Sequence, residues 1–165
     1  MTVAVEPVEL RCCLGRFATG VCVVTVATAE GAHGLTVNSF TAVSLDPPLV
    51  LVSIGKRARG HDLLAESSFG VNILGAEQEL VARHFAGDPH PEHVHWAESD
   101  IAPRLAGALA FIGCEPWQAY DGGDHTLYLG RVVELEYRGG SALGYAYSRF
   151  TKLEEPVLGL EYIFG

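Results

Sequence analysis

A run of small hydroxyl and amide side chains, just after a glycine-rich turn, is the first part of this sequence that could do chemistry. The turn contains Gly31 and Gly34, and the run consists of Thr36, Asn38, Ser39, Thr41 and Ser44. Small residues let a ligand approach the main chain closely, and their polar groups can bond to its edges. The pattern therefore predicts a site for a flat ligand, although such a turn can equally satisfy its own backbone.

A cluster of cations follows a buried strand and opens a short predicted helix. It contains Lys56, Arg57, Arg59 and His61, in a chain whose net charge is −9. Amide donors at a helix start and nearby cations can together hold a phosphate. Ser53, Lys56, Arg59 and His61 are the candidates for such a site, with a solvated surface cluster as the alternative. We expect Arg57 to point to solvent.

A histidine near the C-terminal third is the best candidate for proton chemistry. His125 follows a Gly-Gly-Asp sequence and opens a strand at a loop, from which its side chain can reach a pocket. It could donate a proton or a hydrogen bond, although a plain loop histidine is the alternative. Tyr145, Tyr147 and Phe150 could stack on a flat ring, but alternating tyrosines are also ordinary barrel packing.

Strands are the main elements that would position these residues. The β-branched run over residues 21–29 and the segment 35–37 predict a hairpin across the glycine turn. Proline interrupts strand pairing, so Asp46-Pro47-Pro48 predicts a new strand over residues 49–54. Further predictions are helices over residues 8–17, 61–67 and 76–85, and strands over residues 69–74, 108–120, 124–137 and 143–147.

The two longest strands have a strong hairpin signal between them at residues 121–123. In the second strand, apolar residues such as Val133 and Leu135 alternate with residues such as Tyr128 and Glu134, which predicts one face inside and one partly wet. Six or more mostly antiparallel strands with short helices in the connections favour a closed or split barrel over a parallel sheet.

The polar segment 87–99 predicts a lid or a binding loop, because loops of this length without regular structure are uncommon otherwise. Its histidines are His90, His93 and His95. They lack a recognised ligand signature and lie among prolines and acids, so we predict no metal.

Composition limits the class of protein. The 165 residues fit one domain, and a mean hydropathy of +0.21 predicts a homodimer that hides apolar surface. The net charge of −9 argues against a nucleic-acid partner. Four cysteines without a CxxC pair, and no apolar run near the ~20 residues of a membrane span, predict a cytoplasmic protein with no membrane partner.

Common cofactor motifs are absent from the sequence. There is no GxGxxG after the early strand, no complete phosphate-binding P-loop and no GxSxG elbow. The segment FATGVCVVTVATAEGAHGLTVNSFTAVSLDPPLVLVSIG, followed by FGVNIL and GDHTLYLGRV, instead resembles the short-chain flavin reductases. The resemblance covers a core of about residues 10–153 in a single domain of residues 1–165, leaving a C-terminal tail of residues 154–165 that could fold over a neighbouring subunit.

The resemblance implies both a fold and an activity. The implied fold is mainly β with short helices: an antiparallel, Greek-key-like split β-barrel of the FMN-binding type. The implied activity is NAD(P)H:flavin oxidoreduction of FAD or FMN, with NADH favoured and NADPH as the alternative, supplying reduced flavin to a partner monooxygenase. A non-catalytic flavin- or haem-binding module is the alternative. A pyridoxamine-phosphate oxidase relative would need more phosphate-binding arginines.

The resemblance also implies roles for individual residues. His125 would be catalytic and near the nicotinamide, with Tyr145, Tyr147 and Phe150 as further NAD(P)H-binding residues. Phe85 would pack beside the flavin, although a helix-face aromatic is more often core. The implied flavin-binding set is Gly34, Thr36, Val37, Asn38, Ser39, Ala42, Ser44, Ser53, Ile54, Gly55, Lys56, Arg59, Gly60, His61 and Phe85.

Overall fold

The computed structural model describes residues 4–156. Two α-helices, α1 (Pro7–Leu14) and α2 (Glu79–His84), accompany short 3₁₀ helices at His61–Ala65, Ala76–Gln78 and Pro91–His93. The strands are β1 (Thr19–Gly20), β2 (Cys22–Thr28), β3 (Gly31–Val37), β4 (Thr41–Leu45), β5 (Pro48–Gly55), β6 (Phe69–Ile73), β7 (Trp96–Ala97), β8 (Arg104–Leu105), β9 (Ala110–Gly122), β10 (His125–Tyr137), β11 (Ala142–Ala146) and β12 (Arg149–Leu153).

Seven strands form one antiparallel sheet in the order β3-β2-β6-β9-β10-β5-β4. The sheet curls so that its two ends approach each other near β3 and β5. Ser39 links them, because its Oγ donates to the Ser53 carbonyl at 2.8 Å and accepts from the Ser53 amide at 3.1 Å. No ladder joins β3 to β4 among the described residues, so the arrangement is a barrel with an open seam.

The barrel core is filled by alternate side chains of the central strands, including Val24, Val52, Phe69 and Tyr128. Close packing requires a glycine at Gly130, where a Cβ would lie 2.6 Å from the Phe69 ring. The packing of Phe69 against Gly130 decides which face of β10 points inward.

The inward face of β10 is not the one expected from its leucines. Tyr128 is 3% exposed, whereas Leu135 is 63% exposed and Val133 is 41% exposed. Side chains of β10 do alternate between two faces, but the alternation in the sequence does not say which of the two faces the core. Gly130 leaves the space in which the face that carries Tyr128 packs against the core. Register shifts between Leu129 and Gly130 and between Val132 and Glu134 further interrupt the pattern.

A smaller apolar cluster lies outside the barrel, between α2 and the three-stranded sheet β1-β11-β12. Val81 and Ala82 of α2 pack there with Val21 and Leu143. Thr36 joins this layer to the barrel, because its Oγ1 donates to the Ala82 carbonyl at 2.6 Å. The C-terminal end of α2 is thereby held against β3.

Several expected elements need correction. Residues 41–45, for which no strand was predicted, form strand β4, and they reach β5 through a tight turn at Asp46 and Pro47. The expected helix over 76–85 is divided into a 3₁₀ turn and α2, and Phe150 lies in β12, a strand that was not predicted. The segment 87–99 contains a 3₁₀ turn and β7, which pairs with β8.

Residues 157–165 of the expected tail lie outside the described residues. In the part of the chain that the structure covers, no helix has the length and apolar character needed to cross a membrane.

Candidate active site

A cavity of about 210 Å³, here called the histidine cleft, lies at the open seam of the barrel. Residues 36–39, at the end of β3, form one wall and residues 53–55, at the end of β5, form the other. His125, the first residue of β10, lies at the end of the cleft because it pairs with Gly55. The structure thus brings together three regions that are far apart in the sequence.

Most side-chain hydroxyls on these walls already have protein partners. Thr36 bonds to the Ala82 carbonyl through its Oγ1, and its amide donates to the Phe85 carbonyl at 3.2 Å. Ser39 is occupied by its two bonds to Ser53. Within residues 4–156 the exposed side chain of Asn38 makes no hydrogen bond, so it is the polar side chain of this wall that is free for a ligand.

The imidazole of His125 is fixed by its neighbour in the chain. Its Nδ1 lies 2.7 Å from Oδ1 of Asp124. This hydrogen bond is the largest cause that holds the pKa of Asp124 below its ordinary value. Nε2 lies 3.7 Å from the position that a Cβ on Gly55 would occupy, so Gly55 keeps the space beside the ring open. The ring therefore presents Nε2 to the cleft.

A second cavity, of about 520 Å³, adjoins the cleft at His125 and is called here the cation cavity. Its lining is Gly55, Lys56, Arg57, Asp124 and His125. Lys56 donates to the Asp121 carboxylate, and this contact lowers the pKa of Asp121. Both Lys56 and Arg57 thus lie where an anion could bind next to the cleft.

Arg57 was expected to point to solvent, and it is exposed; it also lines the cation cavity. The side chain of Arg59 lies outside the cation cavity. Its guanidinium bonds to Glu30 at 3.2 Å, and its carbonyl lies 2.7 Å from His33 Nε2. Alternate residues of this exposed turn face different sides, and the sequence did not show which.

Four other predicted contributors also lie outside both cavities. His61 Nε2 lies 3.3 Å from the Thr126 hydroxyl, and its ring meets that of Tyr128 edge to face. Gly60 adopts a left-handed conformation with φ of +77° beside His33. Ala42 and Ser44 lie on β4, the edge strand beyond β5, and line neither cavity.

A third cavity, the aromatic groove, has a volume of about 580 Å³ and lies on the other side of residues 36–38. Tyr145 and Phe150 form an aromatic wall, with ring centroids 5.4 Å apart. Glu79 and Arg83 of α2 face it, and Arg149 lies beside Phe150. The predicted aromatics and His125 therefore line different cavities that share one wall.

Tyr147 is the exception among these aromatics. It lies in the turn after β11 with φ of +52°, so the alternation that pairs it with Tyr145 has ended. Its ring packs instead under the Arg16 guanidinium, 4.5 Å from the centroid. This places Tyr147 outside the aromatic groove.

Phe85 supports the shared wall from behind. A Cβ on Gly34 would lie 2.6 Å from the Phe85 ring, so the ring packs directly on the β3 backbone. Its other neighbours are His84 and Trp96. Within the described residues, Phe85 lines neither the histidine cleft nor the aromatic groove. Its predicted contact with a cofactor stays a prediction.

Glu79, Arg83 and Arg149 line the aromatic groove but were not among the residues predicted from the sequence. The sequence did contain a signal for Glu79 and Arg83, because residues four apart on one helix are neighbours. In the structure they form an ion pair at 2.7 Å. Residues 4–156 contain no group of three or more His, Cys, Asp or Glu side chains placed to hold a metal. His90 instead lies near Asp88 and Glu92.

Comparisons with known proteins agree on one family. Residues 14–154 match the model of the flavin reductase like domain. An NADH-dependent flavin reductase of Rhodococcus sp is 45% identical, over 98% of this chain and 93% of the relative. The reductase subunit HsaB of a flavin-dependent monooxygenase of Rhodococcus jostii is 36% identical, over 92% of this chain and 80% of the relative.

A solved structure shares the architecture as well. The NADH:FAD oxidoreductase SgcE6 of Streptomyces globisporus, in complex with NAD and FAD fragments, is 41% identical with a TM-score of 0.81. The match covers 91% of this chain and 96% of that one. The predicted fold class, an antiparallel split barrel, is confirmed by this similarity together with the observed sheet order.

Proposed function

The chain belongs to the flavin reductase-like family, and from this premise we propose that it is an NADH-dependent flavin reductase acting on FAD or FMN. The observation that carries the proposal is the histidine cleft, where an imidazole anchored by Asp124 presents Nε2 between two main-chain walls. Bound flavin supplies the hydride acceptor and NADH the hydride donor. The chain's own contribution is binding, alignment and proton control.

The residues of the cleft suit a flat ring with polar edges. Gly55 leaves room beside the imidazole, and Asn38 offers an amide free of protein partners in the described part of the chain. Lys56 and Arg57, in the adjoining cation cavity, suit a phosphate attached to that ring. Donors and cations follow one another along a single path from Asn38 past His125 to Arg57.

His125 is the residue placed to handle a proton. Asp124, whose pKa is lowered chiefly by its bond to His125, stays ionised at neutral pH and fixes the imidazole. Nε2 can then hold or donate a proton in the cleft. Alignment supplies the rest, since hydride transfer requires the two rings to meet at roughly 3–3.5 Å.

The reduced flavin would serve a partner monooxygenase. Supporting this is the similarity to a monooxygenase reductase subunit. An accessible site is consistent with it, because Asn38 is exposed and the His125 side chain is 45% exposed. A product that must leave cannot be held as tightly as a permanent cofactor.

The functional unit would be a cytoplasmic homodimer. Leu135 and Tyr137 are 63% and 79% exposed on the outer face of β10, and Leu45 at the sheet edge is 95% exposed. A second copy would cover such apolar surface. All four cysteines are free thiols, which suits a reducing compartment. Light scattering at several concentrations tests the assembly, and a monomer throughout would contradict it.

The decisive experiment for the activity is anaerobic mixing of the protein with NADH and either FAD or FMN. We expect rapid loss of the oxidised flavin's visible absorbance. Bleaching no faster than in a protein-free control, with both NADH and NADPH, would overturn the proposed activity. Reoxidation in the presence of a monooxygenase and its substrate, followed as product formation, then tests the transfer of reduced flavin.

A further inference from the structure

The aromatic groove is the space into which a dinucleotide would extend from the histidine cleft. The two cavities share residues 36–38, so a ligand can reach from one to the other around this wall. The groove's volume of about 580 Å³ is in the usual range for an organic ligand. Tyr145 and Phe150 offer flat faces for a base, and Arg149 a positive charge for a pyrophosphate.

The carboxylate of Glu79 needs explanation, because the other side chains described in the aromatic groove suit an anionic nucleotide. Both Nε and Nη2 of Arg83 donate to Oε1 of Glu79, at 2.9 Å and 2.7 Å. The second oxygen, Oε2, accepts no hydrogen bond within residues 4–156. Glu79 therefore brings to the groove one acceptor with unused capacity and one negative charge.

The same carboxylate restrains Arg83. The guanidinium is bonded to Glu79 on one side and lies 5.4 Å from the Phe150 centroid on the other. An arginine free of such a partner would be well suited to bind a phosphate monoester. Here its charge is compensated and its position fixed.

We propose that Glu79 selects NADH over NADPH in the aromatic groove. Its Oε2 accepts a hydrogen bond from a hydroxyl of the adenosine ribose, the role that acidic residues play in other nucleotide sites. Its charge repels a 2′-phosphate, and its pairing with Arg83 withholds the cation that would otherwise bind that group. This inference rests on the proposed function, because it assigns the adenosine half of that enzyme's hydride donor.

The first test is the substitution Glu79→Gln, which keeps the size of the side chain and removes its charge. The ratio of kcat/KM for NADPH to that for NADH should rise about tenfold, through KM rather than kcat, as Arg83 becomes available. The double variant Glu79→Gln with Arg83→Ala should lose the part of this gain that Arg83 supplies.

A matched control is Glu77→Gln, which removes the same charge two residues earlier. That carboxylate bonds to Arg138 at 2.8 Å and does not line the aromatic groove. The nucleotide ratio should not change in this variant. An equal change in both variants would show a general effect of charge and would overturn the assignment to Glu79.

The second test uses probes that carry no hydride, so it does not depend on turnover. Calorimetric titration of FMN-saturated protein with ADP-ribose and with its 2′-phosphate should show tighter binding of the unphosphorylated probe. Glu79→Gln should narrow the difference about tenfold. FMN is used because it contains no adenosine that could compete for the groove.

The outcomes separate this inference from the proposed function. If the wild type reduces flavin with NADH but Glu79→Gln alters neither ratio, the role of Glu79 is wrong and flavin reduction stands. If flavin is not reduced, the proposed flavin reductase activity is wrong. The titration with ADP-ribose and its 2′-phosphate still decides whether Glu79 discriminates between the two probes. A change in FAD affinity relative to FMN, with no change in either nucleotide ratio, would assign the groove to the flavin's adenosine and overturn the inference.

Discussion

The histidine cleft and the aromatic groove share residues 36–38, yet they are built in different ways. The cleft is walled mainly by the ends of β3 and β5, and its side-chain hydroxyls are largely occupied by structural bonds. The groove is walled by aromatic and charged side chains from α2, β11 and β12. A main-chain site fixes the shape of a ligand, whereas a side-chain site can select its charge.

The histidine cleft and the aromatic groove also differ in how their parts are connected along the chain. The ends of β3 and β5 are joined through β4 alone, and His125 reaches them by direct strand pairing with Gly55. The groove depends on how α2 packs against β3 and on the turn between β11 and β12. Chemistry in the cleft should therefore be sensitive to single residues, and binding in the groove should be spread over several.

The largest effect should come from His125→Ala, which removes the imidazole that lines the cleft. Flavin reduction at saturating NADH should slow about 100-fold, with a much smaller loss of flavin affinity, because the walls remain. Stopped-flow absorbance measures the rate and a flavin fluorescence titration measures the affinity. His93→Ala is the control, since that histidine has nearly the same side-chain exposure, 46%, beside Glu92 in a distant loop.

The reverse pattern for His125→Ala, with a large loss of affinity and little loss of rate, would reassign the residue to flavin binding. Asp124→Asn provides a graded version of the test. It keeps the imidazole and removes the carboxylate that fixes Nδ1. Its rate should lie between those of the wild type and His125→Ala.

Substitution of the cations is expected to have the next largest effect. Lys56→Ala and Arg57→Ala should each weaken FMN about tenfold and leave riboflavin nearly unchanged, because only FMN carries the phosphate. Arg59→Ala should have a smaller effect, since Arg59 bonds to Glu30 away from the cation cavity. Equilibrium titrations of both flavins provide the comparison.

Two results would contradict this assignment of the cation cavity. Equal losses for FMN and riboflavin would show that Lys56 and Arg57 do not bind the phosphate. A larger effect of Arg59→Ala than of Arg57→Ala would restore the expectation from sequence and would require Arg59 to leave Glu30 when flavin binds.

This contrast shows how far the sequence could predict the site. Two walls of the cleft, residues 36–39 and 53–55, could be predicted because both lie in the continuous segment 31–55, and the hairpin signal at residues 121–123 places His125 at a loop. It could not be predicted that Arg57 lines the cation cavity and that Arg59 does not, because an exposed turn has no periodicity that says on which side each residue lies. The groove was only partly predictable, since Tyr147 and Tyr145 look equivalent until the turn with φ of +52° separates them.

The same limit applies to the fold. Alternation, prolines and glycines located most strands, including the β2–β3 hairpin and the long β9–β10 pair. They did not reveal strand β4 or the inward face of β10, because both depend on long-range packing. Gly130, under Phe69 and Cys114, illustrates this: its role is visible only when the strands are in place.

The shared wall allows the comparison itself to be tested. Asn38 lines both the histidine cleft and the aromatic groove, so Asn38→Ala should weaken flavin and raise the KM for NADH, each about fivefold. Steady-state kinetics and flavin titrations on one preparation measure both quantities. An effect on one ligand alone would show that the two cavities are used independently.

The smallest effect is expected in the aromatic groove, where several side chains share the work. Phe150→Leu should raise the KM for NADH about two- to threefold with no change in riboflavin affinity, because one stacking face is lost while Tyr145 and Arg149 remain. Tyr147→Leu is the matched control, since its ring packs under Arg16 outside the groove. If Tyr147→Leu raised the KM as much as Phe150→Leu, the aromatic site would extend over the β11–β12 turn, and the groove would not be the boundary of nucleotide binding.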